Sequence, residues 1–222
     1  MTTTQKQSKP RQIPATLKPI PELLFNEEAH RYTYRGEMIP WSVTSILSHD
    51  MTALAAENIA KTKHLWEPRG NHLHQMVEQH LSGEADLNPG DYAEWSEPLL
   101  AHPIFNRYKA IATEYRLVDK RARYAGSLDF LLAGETPSGE PKVLLGDLKS
   151  KQRSNSVVGD HKAQLGAYYS MLIQHHPLLV VDQCIVVNSF PGRVEISVHE
   201  PAECLAAWDD KFQKFNEFKP TF

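Results

Sequence analysis

Two aspartates and a lysine near the middle of the chain have the types and spacing expected of a catalytic site. Asp147 and Lys149 follow the apolar residues 143–145, which are typical of a buried strand, and Asp129 ends a Gly-Ser-Leu-Asp run in the strand-like segment before it. Because side chains alternate along a strand, Asp147 and Lys149 project from the same side. If Asp129 comes from the neighbouring strand, two carboxylates and an ammonium group meet at one point.

Carboxylates held this close raise each other's pKa, and a divalent cation that prefers oxygen ligands is the usual remedy. The pattern therefore predicts a metal site suited to phosphoryl chemistry. The alternative is a solvated strand end with a surface ion pair, because a pattern as short as Asp-x-Lys also occurs by accident.

Basic residues gather near these carboxylates. They are Lys149, Lys151, Arg153, His161 and Lys162 after Asp147, and Lys120, Arg121 and Arg123 ahead of Asp129. A nuclease needs a local positive track of this kind to hold a phosphate backbone. Each group also fits an ordinary solvated face, which is the more natural interpretation of the group ahead of Asp129.

A histidine on a nearby helix is a further candidate. Apolar residues recur at helical spacing from Leu73 to Leu81 and predict a helix over residues 70–81. His74 and Glu78 lie together at the border of its apolar stripe, one turn apart. The alternative for His74 is a half-buried packing or capping role.

Composition limits the class of protein. The chain has 222 residues, of which 41% are hydrophobic and 23% charged, and we expect a single domain over residues 25–222 behind a flexible, proline-rich tail over residues 1–24. No apolar run approaches the ~20 residues that cross a bilayer, and no secretory signal is evident, so an intracellular protein without membrane contacts is expected. The net charge of −3 argues against a protein that coats nucleic acid by bulk attraction. Cys184 and Cys204 are too few to hold zinc or an iron–sulfur cluster by themselves.

The order of elements predicts an α/β (α+β) sandwich with a mixed central sheet. A hairpin is expected around Arg35-Gly36 and a short helix from Ser42 to Leu47. A helix over residues 104–115 is expected from its apolar periodicity, followed by strands over 124–132 and 143–149. A helix from about residue 164, two strands (184–187 and 194–198) and a C-terminal helix over residues 201–218 complete the chain.

Several motifs together resemble one known family. Gly126-Ser127-Leu128-Asp129, Asp147-Leu148-Lys149 and Gln164-Leu165-Gly166-Ala167-Tyr168 are similar to the successive motifs of the PD-(D/E)XK nuclease superfamily. Gly70, His74 and Glu78 resemble the histidine motif of its RecB-like branch. Residues 39–47 and 183–187 are similar to segments of the mitochondrial genome maintenance exonuclease group and its phage and bacterial relatives. Trp41 interrupts one of these segments, and the four-cysteine iron–sulfur cluster of some relatives is absent from the sequence.

The resemblance implies a restriction-endonuclease-like core and a metal-dependent site. It assigns His74, Asp129, Asp147 and the backbone carbonyl of Leu148 as ligands of Mg²⁺ or Mn²⁺, without an iron–sulfur cluster. Lys149 would orient or help to deprotonate the attacking water and stabilise charge on the phosphate.

The remaining residues are expected around that centre. Gln164 and Tyr168 would hold the phosphate, Lys149 or the nearby backbone, with helix packing as the alternative. Ser127, Tyr168, Lys151, Arg153 and Lys162 are the expected DNA contacts. Glu78 would bind a second metal through water or orient His74.

The implied function is a metal-dependent deoxyribonuclease that works from free DNA ends, with single-stranded DNA as the expected substrate, in replication, repair or recombination. A cytoplasmic protein of a bacterium or phage is expected rather than a mitochondrial one. Trp41, Trp66, Trp95 and Tyr124 are candidates for base stacking, with buried packing as the alternative. A structure-specific endonuclease and a nuclease-like DNA-binding subunit are the other functions to be distinguished.

Overall fold

The computed structural model describes residue 11 and residues 13–218. In chain order the elements are β1 (Leu23–Asn26), β2 (Arg31–Tyr34), β3 (Glu37–Met38), β4 (Trp41–Ser42), α1 (Val43–Leu47), α2 (Ala53–Leu81), a 3₁₀ turn (Gly90–Tyr92), α3 (Ala93–Leu100), α4 (Pro103–Arg107), β5 (Lys109–Asp119), β6 (Tyr124–Glu135), β7 (Pro141–Ser150), α5 (Lys162–His175), β8 (Gln183–Phe190), β9 (Arg193–His199) and α6 (Pro201–Phe218). The expected mixed α/β fold is confirmed.

A six-stranded mixed sheet forms the centre of the molecule. Strand β6 pairs antiparallel with β5 and β7, and its first residues pair parallel with β4. Strand β8 pairs parallel with β7 and antiparallel with β9. A separate three-stranded antiparallel sheet contains β1, β2 and β3. The candidate acids therefore lie on central strands whose backbones are held on both sides.

Apolar side chains cover both faces of the central sheet, and β7 shows how its sequence serves them. Val143 and Leu145 belong to a core that includes α1, α5 and α6, whereas Leu144 and Leu148 belong to a core that includes α2, α3 and α4. This alternation follows from the two-residue period of a strand. Asp147 follows Val143 and Leu145 on the same face of β7, so its carboxylate lies at the edge of the core that those two residues share with α1, α5 and α6.

The hairpin turn and helix α1, which precede β5 in the chain, form where the sequence predicted them. Arg35 and Gly36 both have positive φ, 53° and 78°, which is the turn type that suits a two-residue hairpin. Ser42 caps α1, and its side chain and that of Ser45 exchange hydrogen bonds with each other's backbone N–H. Helix α2 extends much further towards the N-terminus than the predicted helix over residues 70–81, since it begins at Ala53 after the capping residue Thr52.

The helix expected over residues 104–115 is wrong beyond residue 107. Only α4, Pro103–Arg107, is helical, and Ile111 and Tyr115 lie on strand β5. The β5–β6 register shifts between Ala110 and Ala112, and Glu114 has a positive φ of 43°. These irregularities break the two-residue alternation and leave buried residues four apart, which is why the segment resembles a helix.

The N-terminal boundary also requires correction. Residues 1–10 and 12 lie outside the described residues, but residues 13–24, expected to belong to a flexible tail, pack on the domain. The Leu17 N–H donates to the Ile111 carbonyl at 2.8 Å, and Ile20 is buried. Arg11 forms an ion pair with Asp182 at 2.7 Å. Proline excludes helix here, as expected, but the extended chain satisfies its polar groups against β5 and the Asp182 loop. Over residue 11 and residues 13–218, no helix is long and apolar enough to span a membrane.

Candidate metal centre

Strands β6 and β7 separate at Asp129, and the separation opens the candidate site. Their ladder runs from Glu135↔Pro141 to Phe130↔Gly146 and stops there. Beyond it, Asp129 Oδ2 accepts a hydrogen bond from the Leu148 N–H at 2.6 Å. The aspartate thus replaces a backbone carbonyl in the ladder, which fixes one carboxylate oxygen and leaves Oδ1 for other partners.

Asp147 and Lys149 project together from β7, as the alternation predicts. The Lys149 Nζ lies 2.8 Å from Asp147 Oδ2 and donates to Oδ1 at 3.1 Å. Asp147 has no exposed side-chain surface, whereas Lys149 keeps 27% of its side chain exposed. A buried charge needs a partner of opposite sign, and the lysine provides it while reaching the surface of the site.

His74 and an unexpected acid complete a compact cluster with Asp129. The His74 Nδ1 lies 3.3 Å from Glu114 Oε1 and 3.7 Å from Asp129 Oδ1. One ligand atom from each of the three side chains lies within 4.8 Å of the other two. The family resemblance implied His74 and Asp129 in one site, and the structure brings them together. It did not single out Glu114.

The backbone at Glu114 accounts for its position in the cluster. The pairs Thr113↔Phe130 and Tyr115↔Leu128 flank it, so Glu114 lies across from Asp129 on the adjacent strand. Its φ of 43° is left-handed, which is unusual for a residue inside a strand and costs on the order of 1–3 kcal/mol. Backbone strain of this kind concentrates at functional sites. In this case it accompanies a carboxylate directed at His74.

The charges in this cluster strongly perturb one another. Burial, together with the repulsion from Asp147, raises the pKa of Asp129 to about 7, although His74 and Lys149 act against the shift. Burial lowers the pKa of His74, but Asp129, Glu114 and Asp147 outweigh it and raise the value to about 9. Without a metal, His74 is therefore an imidazolium at neutral pH, and its proton partly neutralises the surrounding carboxylates.

The donor set fits a hard divalent cation. Glu114 and Asp129 offer carboxylate oxygens, His74 offers a ring nitrogen, and the buried Asp147 lies close enough to perturb the pKa of both His74 and Asp129. Oxygen-rich donors suit Mg²⁺ and Mn²⁺, and one imidazole favours the softer Mn²⁺. The predicted ligand set of His74, Asp129 and Asp147 thus gains a fourth candidate. The Leu148 carbonyl stays a prediction, since its N–H is the group that contacts Asp129.

Tyr168 packs tightly behind the acids, and the first glycine of the Gly-Ser-Leu-Asp run permits this. A Cβ at Gly126 would lie 2.9 Å from Tyr168 Cε1 and 2.9 Å from Val43 Cγ2. The Tyr168 hydroxyl accepts a hydrogen bond from Gln164 Nε2 at 3.0 Å. Burial, followed by the negative charges of Asp147 and Asp129, raises the pKa of Tyr168 well above its usual value. Gln164 and Tyr168 are therefore near the acids, with Tyr168 in a packed position.

Of the other residues expected to contact DNA or the metal, some lie near the candidate centre and others pair elsewhere. Ser127 Oγ lies 3.1 Å from the Tyr32 hydroxyl of the hairpin, and the Lys162 Nζ lies 3.2 Å from Glu203 on α6. Lys151 lies near the centre, since burial and the positive charge of Lys149 lower its pKa. Arg153 is exposed in the following loop. Glu114, rather than Glu78, orients the ring of His74. Burial and the negative charge of Glu114 raise the pKa of Glu78.

A cleft of 290 Å³ gives access to this centre. His74, Leu148 and Lys149 line it, together with Trp66 and Gly70 further along α2. His161, at the start of α5, lies near the same charges, since burial and Lys149 lower its pKa. Its Nε2 is buried without a hydrogen-bond partner. The centre is thus open on the α2 side and bordered by further polar groups on the α5 side.

No family model and no curated protein matches this chain. Among solved structures, it is similar to the one described as "Crystal structure of SSO0001", with 16% sequence identity and a TM-score of 0.42. The match covers 82% of this chain and 77% of that chain. That similarity says nothing about function, so the chemistry of the site rests on its own geometry.

Proposed function

We propose that this protein is a divalent-metal-dependent deoxyribonuclease that hydrolyses phosphodiester bonds at free DNA ends. The observation that carries the proposal is the convergence of His74, Glu114 and Asp129 beside the Asp147–Lys149 pair, at one opening between two central strands. Three carboxylates and an imidazole so close together are costly without a cation. A catalytic cluster explains why the fold maintains them.

The residues of the site have two different roles in the proposed reaction. His74, Glu114, Asp129 and Asp147 would hold Mg²⁺ or Mn²⁺, which when bound lowers the pKa of a water molecule and neutralises phosphate charge. Burial lowers the pKa of Lys149, but Asp147 and Asp129 outweigh it and raise the pKa overall. The lysine is therefore an ammonium group, and we assign it charge stabilisation on the scissile phosphate rather than removal of a proton from water.

The reaction adds water across the bond between phosphorus and the leaving sugar oxygen, which yields a phosphate monoester and a hydroxyl group. The open side of the cleft, along α2, offers space for the substrate, and Lys149 faces it. Gln164 and Tyr168 hold the rear wall through their mutual hydrogen bond. Both cysteines are buried free thiols, which suits the reducing cytoplasm that we propose as the working compartment.

End-labelled linear DNA incubated with Mg²⁺, Mn²⁺ or EDTA tests the proposal. We expect hydrolysis with either metal and none in EDTA. Lys149→Met should reduce the rate by about 10²-fold or more, because it removes a charge that acts on the transition state. Lys142→Met, on the same strand but away from the site, is the matched control and should retain the wild-type rate. Equal rates for the two variants would remove Lys149 from the mechanism.

A further inference from the structure

The N-terminal half of α2 has an unusual surface. None of the residues from 53 to 68 is buried, so four turns of the helix are largely exposed. Even so, the segment exposes large apolar side chains: Leu54 is 67% exposed, Leu65 45%, Ile59 44% and Trp66 39%. An exposed helix that needs only solubility would carry polar residues at these positions.

One face of this helix leads directly to the metal centre. At about 100° per residue, Ile59, Lys63, Trp66, Gly70 and His74 lie within about 80° of one another, and we call them the cleft-side stripe. Trp66, Gly70 and His74 line the same cleft as Lys149. Trp66 lies about 12 Å along the helix axis from His74, at a rise of 1.5 Å per residue. The stripe is therefore continuous with the proposed site.

The part of the stripe before Gly70 offers apolar surface rather than net charge. Its lysine, Lys63, pairs with Glu67 one turn away at 3.1 Å, and both side chains are about half exposed. This pair brings no net positive charge to the cleft wall, so a duplex held by its phosphates gains little from it. An indole at the mouth of the cleft instead matches an unpaired base, because every base has a face that stacks on an aromatic ring.

We infer that the cleft-side stripe binds a single DNA strand next to the scissile phosphate, with a base stacked on Trp66. This inference rests on the proposed function, since the proposed nuclease activity makes nucleic acid the occupant of the cleft. It specifies a substrate form and a recognition residue: an unpaired strand, bound by stacking on Trp66, two turns of α2 before His74. Duplex DNA does not present a free base at that position.

The test measures binding and cleavage separately. Fluorescence anisotropy of a labelled oligo-dT in EDTA should show about tenfold weaker binding by Trp66→Ala, and Trp66→Phe should recover much of the loss. Leu65→Ala is the matched control, because Leu65 is exposed on the same helix but lies about 140° from the centre of the stripe. It should bind as the wild type does. The loss should be the same factor at low and high salt, since stacking releases no counterions.

The outcomes separate the two proposals. Wild-type protein that binds oligo-dT through Trp66 but never cleaves it contradicts the proposed function and supports the stacking surface. Protein that cleaves with Mg²⁺, while Trp66→Ala binds and cleaves as well as Leu65→Ala, overturns the stacking surface alone. An equal loss of blunt-duplex binding in Trp66→Ala also overturns it, and so does a wild-type dimer that Trp66→Ala converts to monomers. In the latter case a second copy of this chain covers the stripe.

Discussion

In the proposed site, a proton on His74 and a divalent cation compete for the same carboxylates. The ring bridges Glu114 and Asp129, and these acids raise its pKa to about 9 in the metal-free protein. The value lies above the usual 6.5, so the stabilising contacts of the imidazolium are complete below pH 6.5 and are lost as pH rises through 9. A cation that takes nitrogen as a ligand must displace this proton.

Metal affinity should therefore rise with pH. We expect Mn²⁺ to bind up to about tenfold more tightly per pH unit between pH 7.5 and 8.5, with the release of close to one proton. Calorimetric titrations in two buffers of different ionisation enthalpy count the protons. His74→Gln, which has no proton to lose, should bind more weakly and with little pH dependence in this range. An affinity that is flat in the wild type would exclude His74 as a ligand.

Glu114 combines backbone strain with a proposed ligand role, and one substitution separates the two. Above pH 9, where His74 has lost its proton and its attraction to Glu114, Glu114→Gly should raise the free energy of unfolding in EDTA by about 1 kcal/mol. Glycine adopts the positive φ without strain, and the repulsion with Asp129 is lost. The same variant should bind Mn²⁺ at least about tenfold more weakly.

Its neighbour Thr113 is the matched control, since it lies on the same strand with no positive φ. Thr113→Gly should lower the free energy of unfolding by about 1 kcal/mol and leave Mn²⁺ binding unchanged. Chemical denaturation and Mn²⁺ titration measure both quantities. If Glu114→Gly is destabilised as Thr113→Gly is, the backbone at Glu114 is not strained. If it binds Mn²⁺ as the wild type does, Glu114 is not a metal ligand.

At the scale of elements, sequence patterns predicted the regular parts of the site and missed the irregular one. Asp129, Asp147 and Lys149 lie on strands whose alternation is clear, and His74 lies on a helix with a clear apolar stripe. Glu114 was hidden because a register shift and a positive φ give β5 a helix-like spacing of buried residues. The N-terminal half of α2 was missed as well, since a helical segment without buried residues shows no clear apolar stripe.

The glycine before Asp147 maintains the strand geometry that positions the site. An ideal Cβ at Gly146 would lie 1.8 Å from Phe130 Cε2, on the cross-strand partner at the last pair of the β6–β7 ladder. Gly146→Ala should therefore lower the free energy of unfolding by about 1–3 kcal/mol, because the ring must move within a packed core. Adding Phe130→Leu should recover part of that loss.

Gly70 is the matched comparison, since its Cβ would meet only the Ser150 Oγ at an ordinary 3.9 Å. In the interior of α2, Gly70→Ala should raise the free energy of unfolding by about 1 kcal/mol. Denaturant unfolding of the two variants and the wild type measures both effects. Two variants of equal stability would contradict the packing described for Gly146.

At the scale of the whole molecule, α2 borders the cleft, and the separate β1–β3 sheet contacts strand β6 two residues before Asp129. The β1–β3 hairpin reaches the site through the contact of Tyr32 with Ser127, and α2 borders it through His74 and Trp66. Both elements precede residue 82 in the chain, and these contacts place them beside the candidate acids. A strand that enters between them is more accessible as an end than as a closed loop.

Substrate form should follow from this arrangement. Linear single-stranded DNA should be degraded in Mg²⁺, whereas closed circular single strands should survive at the same protein concentration. Binding should weaken with salt, because Lys149 and Lys151 replace counterions on the phosphates. Gel electrophoresis of both substrates, with Asp147→Asn protein as the blank for contaminating nucleases, measures the difference. Rapid nicking of circles by the wild type alone would indicate an endonuclease.

The rate of cleavage as a function of Mn²⁺ concentration shows whether the cluster around Asp129 is a metal-dependent nuclease centre. The substrate is end-labelled linear single-stranded DNA, and the proteins are the wild type, Asp129→Asn and the control Glu135→Gln, which alters an acid at the far end of the same strand. We expect no cleavage in EDTA, a saturable rise with Mn²⁺ for the wild type and Glu135→Gln, and a rate at least about 10²-fold lower for Asp129→Asn. Asp129→Asn should also melt at or above the wild-type temperature without metal, because it removes the cost of burying this carboxylate and its repulsion from Asp147, which together raise the pKa of Asp129. Cleavage by the wild type in EDTA, or full-rate cleavage by Asp129→Asn, would contradict the metal-dependent mechanism.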